Sequence, residues 1–183
     1  MTRARSLDYA TDHALDCIDA RESSTANHAE LPADIRGGAK QADPAVWPVL
    51  DTVWRLYSEH RARLDPHLEH VGMIHYGSAF PKRAARQVID DVARSGRVSP
   101  LTFIHANAGA ALSICCTRFG FRGPTLNLTM AAADAGRFAD IAAARWLERG
   151  DARYLFVVAA EFDANEGVTA KTTLYARAAR VAD

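Results

Sequence analysis

The side chains able to do chemistry fall in few places: the adjacent pair Cys115-Cys116, the histidines at 75 and 105, and Asp134 in the small-residue run Ala131-Ala132-Ala133-Asp134-Ala135-Gly136. A thiolate beside an imidazole makes a nucleophilic pair, and cysteines two residues apart hold metals or redox disulfides. Neither arrangement is present. Cys115 and Cys116 sit in the middle of a helical stretch without a Cys-x-x-Cys spacing and read as small core residues. His75 lies in the apolar run 71–76, which Gly77-Ser78 ends, and reads as a packed strand residue. His105 reads as structural, because no cysteine stands at a strand-to-helix turn for it to activate. The small-residue run is itself such a turn, of the kind on which α/β enzymes display a nucleophile. It carries none. Asp134 is the one residue there with the chemistry of a base, and Met130 and Asp134 flank the vacant place. No metal-ligand spacing or cofactor motif occurs, so neither metal nor cofactor is expected.

The elements around this corner follow from periodicity. Gly120 and Gly123-Pro124 end a helix and turn the chain. Leu126, Leu128 and Met130 then alternate with Thr125, Asn127 and Thr129, the period of a strand. After the corner, Phe138, Ile141, Ala142 and Trp146 mark an alanine-rich helix ending near Gly150. Residues 154–160 are a continuous apolar strand, as in a sheet covered on both faces, and 169–177 form a last strand of mixed polarity placed near a sheet edge. Upstream, Val46, Val49, Leu50, Val53, Trp54, Tyr57 and His60 share a helical face over 45–64, with Pro48 tolerated in the first turn. A second helix spans 82–95 through Ala85, Val88, Ile89 and Val92, and a third spans about 106–119. The first 44 residues are polar and punctuated by Gly and Pro; 7–19 suit a short helix, and the rest reads as loop. Strands alternating with helices imply an α/β fold with a mainly parallel sheet.

Composition excludes several classes. The chain has 183 residues, enough for one domain with a sizeable core. Its 22 basic and 22 acidic residues cancel, so no net field recruits nucleic acid or an anionic membrane. No apolar run approaches the ~20 residues of a membrane span, and the first residues lack a signal-peptide core. Three cysteines, two of them adjacent, suit free thiols in a reducing compartment. A cytoplasmic protein is expected.

The run 107–136, NAGAALSICCTRFGFRGPTLNLTMAAADAG, resembles the N-terminal half of a β-ketoacyl synthase of the thiolase superfamily. In that half a helix, an FG.RGP turn, a strand and a Thr-Ala-Cys-type corner follow in this order. Asn107-Ala108-Gly109, Phe119-Gly120, Arg122-Gly123-Pro124, Arg149-Gly150-Asp151 and Ala160-Glu161 fall in register, and the resemblance covers residues 70 to 178. It implies a thiolase-like half-domain over 45–183, with a mixed, mainly parallel sheet of four or five strands under helices. Such proteins open with a hydrophobic strand; nothing in 1–44 matches one, so that segment is expected to be poorly ordered or remodelled.

The resemblance also bears on function, because it puts the family's catalytic cysteine at Ala132. Without a thiolate there is no acyl-enzyme, and the family's further catalytic histidines belong to a second half that this chain, ending at Asp183, does not reach. The implied role is a non-catalytic subunit of chain-length-factor type. It would pair with an active ketosynthase in polyketide, aryl-polyene or fatty-acid-type biosynthesis and shape its acyl pocket. Pocket candidates are Met130, Ala132 and Asp134; interface candidates are Thr125, Leu126, Asn127, Leu128 and Thr129. The implied partners are a full-length ketosynthase or a second copy, with an acyl carrier protein. Two other readings stay open: a 3-oxoacyl-[acyl-carrier-protein] synthase completed by oligomerisation, and a stand-alone acyl-binding protein. Whether Ala132 is natural or an introduced change also stays open at this point.

Overall fold

A computed structural model describes residues 15–27, 30–37, 39 and 42–177. Strand β1 is Leu15–Ser24, followed by a single helical turn α1, Ala33–Arg36, and the long helix α2, Val46–Glu59. A turn α3, Arg61–Leu64, and a 3-10 turn, Asp65–His70, lead into β2, Val71–Tyr76. Then come α4 (Lys82–Ser95), α5 (Pro100–His105), α6 (Ala110–Phe119), β3 (Thr125–Leu128), α7 (Ala132–Arg149), β4 (Tyr154–Phe162) and β5 (Val168–Arg177).

The five strands form one sheet in the order β1-β5-β4-β2-β3. β2 pairs in parallel with both β3 and β4, while β5 is antiparallel to β4 and to β1. The sheet is therefore mixed, with β5 alone running against the other four. One face carries α2 and α6 over Met73, Phe156, Val158 and Leu174. The other carries α7, whose Ala139, Ala143 and Leu147 pack on Ile74, Leu155 and Val157. Apolar side chains on both faces explain why β4 is a continuous hydrophobic run.

Two glycines set where β2 begins and ends beside the site. A Cβ on Gly123 would lie 2.7 Å from Val71 O, so the turn into β3 can cross the start of β2 only without a side chain. Gly77, at φ +128°, passes so close to Ala160 that no side chain fits.

The structure corrects several expectations. The helix expected over 7–19 lies partly outside the described residues, and from Leu15 onward the chain is strand β1, bonded along β5. The segment 1–44 thus supplies a strand to the sheet. β5 does stand near a sheet edge, with only β1 outside it, and its mixed polarity reflects one helix-covered and one half-open face. The helix expected over 106–119 starts later, at Ala110, and a separate short helix α5 precedes it. On α7 the alanines face the sheet, while Phe138 and Ile141 are exposed. On α4 only Ala84 is buried, and the apolar Ile89 and Val92 stand in solvent.

Candidate functional site

The corner 129–136 lies at the C-terminal end of the parallel strands, where β2, β3 and β4 all finish. Thr129, Met130 and Ala131 leave β3, and α7 starts at Ala132. The first turns of a helix leave backbone N–H groups without intrahelical acceptors. Here the Ala132 N–H donates to Glu161 Oε1, at the end of β4, in a short hydrogen bond. The same carboxylate accepts from Ser78 Oγ and, at 3.3 Å, from the Ser78 N–H. Ser78 Oγ accepts in turn from the Phe162 N–H at 3.4 Å. Glu161 therefore ties the ends of β2 and β4 to the start of α7, with its negative charge at the favourable end of the helix dipole.

The three pocket candidates lie together at this corner. Met130 is 42% exposed, Asp134 is exposed, and Ala132 is partly covered. Asp134 sits in the first turn of α7, where its charge complements the dipole, and no base-like partner accompanies it. The corner offers a methyl group at 132 and an amide already engaged by Glu161. It has no nucleophile.

The five interface candidates form one strand and its continuation at the open side of the sheet, since β3 is last in the strand order. Met73 N–H donates to Pro124 O at 3.0 Å and Gly77 N–H to Leu128 O at 3.1 Å. Backbone groups alternate in direction along a strand, so Leu126 and Leu128 bond inward to β2, whereas Thr125 and Asn127 turn their N–H and C=O to the free edge.

Asn127 has a second role. His75 lies opposite it across β2 and β3, and His75 Nδ1 is 2.8 Å from Asn127 Oδ1. A carbonyl oxygen only accepts, so Nδ1 carries the proton and Nε2 is left as a buried acceptor without a partner. Burial is the main influence on this histidine and pushes its pKa below the ordinary value, which the bond from Asn127 only partly offsets.

The cysteines take no part. Burial pushes the Cys115 thiol well up and the Cys116 thiol up to about 11, so both stay protonated near neutral pH. His105 is buried against the cleft between α2, α4 and α5, with Asp43, Trp47 and Arg83. One group of possible metal ligands exists among the described residues: Asp19, Glu59 and His60 offer atoms within 4.8 Å of one another. The Arg21 guanidinium holds both carboxylates, and His60 Nε2 lies 3.0 Å from Asp19 Oδ2, so the cluster is already a closed ion-pair network. No helix among the described residues is long and apolar enough to cross a membrane.

Solved structures share this fold. The ketosynthase ApeO in complex with its chain length factor ApeC, from Xenorhabdus doucetiae, matches with a TM-score of 0.65 at 13% identity, over 91% of this chain and 80% of the matched one. The fold is thiolase-like, of the ketosynthase type. A β-ketoacyl synthase from Burkholderia phymatum STM815 matches with a TM-score of 0.63 at 13% identity, over 92% of this chain and 53% of its own. The complex AntDE:AntF, a type II polyketide synthase acyl-carrier protein with its ketosynthase, matches with a TM-score of 0.61 at 14% identity, covering 76% of this chain. The chain spans about half the length of these last two. No protein-family model and no curated protein sequence matches.

Sequence reasoning found the strand-to-helix corner but not the use of Ser78 and Glu161. Both were in view, as the end of an apolar run and as half of the Ala160-Glu161 match. Their pairing depends on β2 and β4 being neighbours, which no local pattern states.

Proposed function

We propose that this chain is a non-catalytic ketosynthase-like subunit that pairs with an active ketosynthase and shapes its acyl pocket, in biosynthesis of polyketide, aryl-polyene or fatty-acid type. The observation that carries this reading is the corner at Ala132. It occupies the elbow of a ketosynthase-type fold, yet its side chain is a methyl group and its amide is bound by Glu161. A carbonyl carbon delivered there would meet neither a nucleophile nor a free amide at 132.

Pairing is supported by β3, whose outer edge no strand of this chain covers, and by the exposed apolar side chains of Met130, which follows it, and of Phe138 and Ile141 on α7. An unpaired edge next to apolar surface is a template for another chain. Solved relatives of the fold include a ketosynthase bound to its chain length factor and one bound to an acyl-carrier protein. The partner is a full-length ketosynthase, with an acyl carrier protein delivering to the pair. On this reading the half-domain begins at β1 rather than at residue 45.

The test is coexpression with a ketosynthase of the same system, followed by size-exclusion chromatography with light scattering and by intact mass after incubation with an acyl-carrier thioester. A stoichiometric complex, with the acyl group only on the ketosynthase, is expected. An acyl group covalently held by this chain overturns the non-catalytic assignment; failure to associate overturns the pairing.

A further inference from the structure

A second cleft lies at the opposite end of the sheet from Ala132. It is bounded by His70 before β2, by Arg153 and Tyr154 at the start of β4, by Ala176 and Arg177 at the end of β5, by Asp16 of β1, and by the C-terminal end of α7. α7 has 18 residues and so separates the two sites by about 27 Å. The cleft encloses about 730 Å³, within the range of small-molecule sites.

Its charge is unusual for a chain with no net charge. Arg63, Arg153 and Arg177 all line it, and among the described residues no carboxylate pairs with any of them. Other arginines here do find partners: Arg149 reaches Asp151 at 3.2 Å, Arg61 reaches Asp65 at 3.1 Å and Arg122 reaches Glu69 at 3.0 Å. Among the described residues Asp16 is the one acidic side chain of the lining. The C-terminal end of α7 adds the equivalent of about half a negative charge, which leaves a clear cationic excess.

Guanidinium groups bind phosphate oxygens two at a time in a planar fork. Three of them round one cavity suit a ligand of several negative charges, and a diphosphate, with six terminal oxygens, offers each guanidinium a pair of its own. We infer that this cleft binds a small diphosphate-bearing anion, inorganic or as a nucleoside diphosphate. The site is independent of the corner at Ala132 and of any pairing there.

Titration calorimetry of the full 183-residue chain with inorganic pyrophosphate and with ADP tests this. Saturable binding of one equivalent is expected, weakened tenfold or more by Arg153→Gln and by Arg63→Gln, and weakened by added salt. These side chains are exposed, so both variants should keep the parent melting temperature. Arg83→Gln, in the cleft between α2 and α4, should bind as the parent does. Equal affinity for the two ligands would assign recognition to the phosphates alone, and tighter ADP binding would add a seat for the nucleoside. No saturable binding of either ligand at millimolar concentration overturns the inference. So does parent-like binding by both cleft variants, or an equal loss in Arg83→Gln, which would indicate diffuse charge attraction.

Discussion

At the scale of single residues, position 132 is where the proposed non-catalytic reading is most directly tested. Ala132→Cys would place a thiol at the start of α7, but it is not expected to produce condensation by itself, because on the proposed reading the further catalytic groups belong to the partner. The expected result is no turnover with an acyl-carrier thioester and a malonyl donor; condensation by the isolated variant would mean that a catalytic partner group has been overlooked. Glu161 matters for a different reason. Replacing it with Gln keeps its shape but removes the charge from the helix start, and a loss of about 1 kcal/mol is expected from urea denaturation. His75 makes a prediction with a definite sign. Burial depresses its folded pKa below the unfolded value of 6.5, so the unfolded chain takes up a proton first as pH falls. The contribution of His75 to stability is therefore constant above about pH 6.5 and is lost as pH drops below it, at no more than about 1.4 kcal/mol per pH unit. His75→Gln should flatten that part of the profile; identical profiles for parent and variant would exclude the histidine as its source.

At the scale of elements, β3 offers a test that separates its two sides. Asn127 turns its backbone to the open edge, and Leu128 turns inward to β2. Leu128→Pro removes a bond within the sheet and should lower the melting temperature. Asn127→Pro removes an outward donor and should instead weaken association, by a few kcal/mol with the ring clash included. Because Asn127 also holds His75, Asn127→Ala is the control. It loses the side-chain bond but keeps the N–H, so it should still associate. The elements legible in the sequence were those with strong period or punctuation: α2, β2, β3 and β4 have both. β1 was illegible for a physical reason. In the sequence LDCIDARESS only Ser23 is buried, because the strand lies at an edge and takes its conformation from bonds to β5, about 150 residues away. The face of α7 follows its composition: close approach to the sheet selects the alanines, leaving Phe138 and Ile141 outside.

At the scale of the molecule, these outward apolar side chains are surface that a lone chain has no use for. Phe138 is 55% exposed and Ile141 39%, on one side of α7, and Met130 stands at the corner just before it. On the α4–α5 side Ile89, Phe103 and Ile104 are more than 60% exposed. The two sets can be told apart by charge. Phe138→Glu should leave the melting temperature of the isolated chain unchanged, since the side chain already faces water. If α7 and β3 are covered by a ketosynthase, the same change removes a buried aromatic group and places a carboxylate against apolar surface. The burial lost is worth roughly 1.5–3 kcal/mol, so affinity should fall by about tenfold to a hundredfold or more. Ile89→Glu on α4 supplies the comparison, and titration of each variant against the ketosynthase by light scattering or calorimetry reads the difference. A large loss for Phe138→Glu with little for Ile89→Glu would put the interface at β3 and α7, and the reverse result would move it to α4 and α5. Parent-like affinity for both, with folding intact, would leave neither apolar face covered and would place the interface elsewhere on the chain.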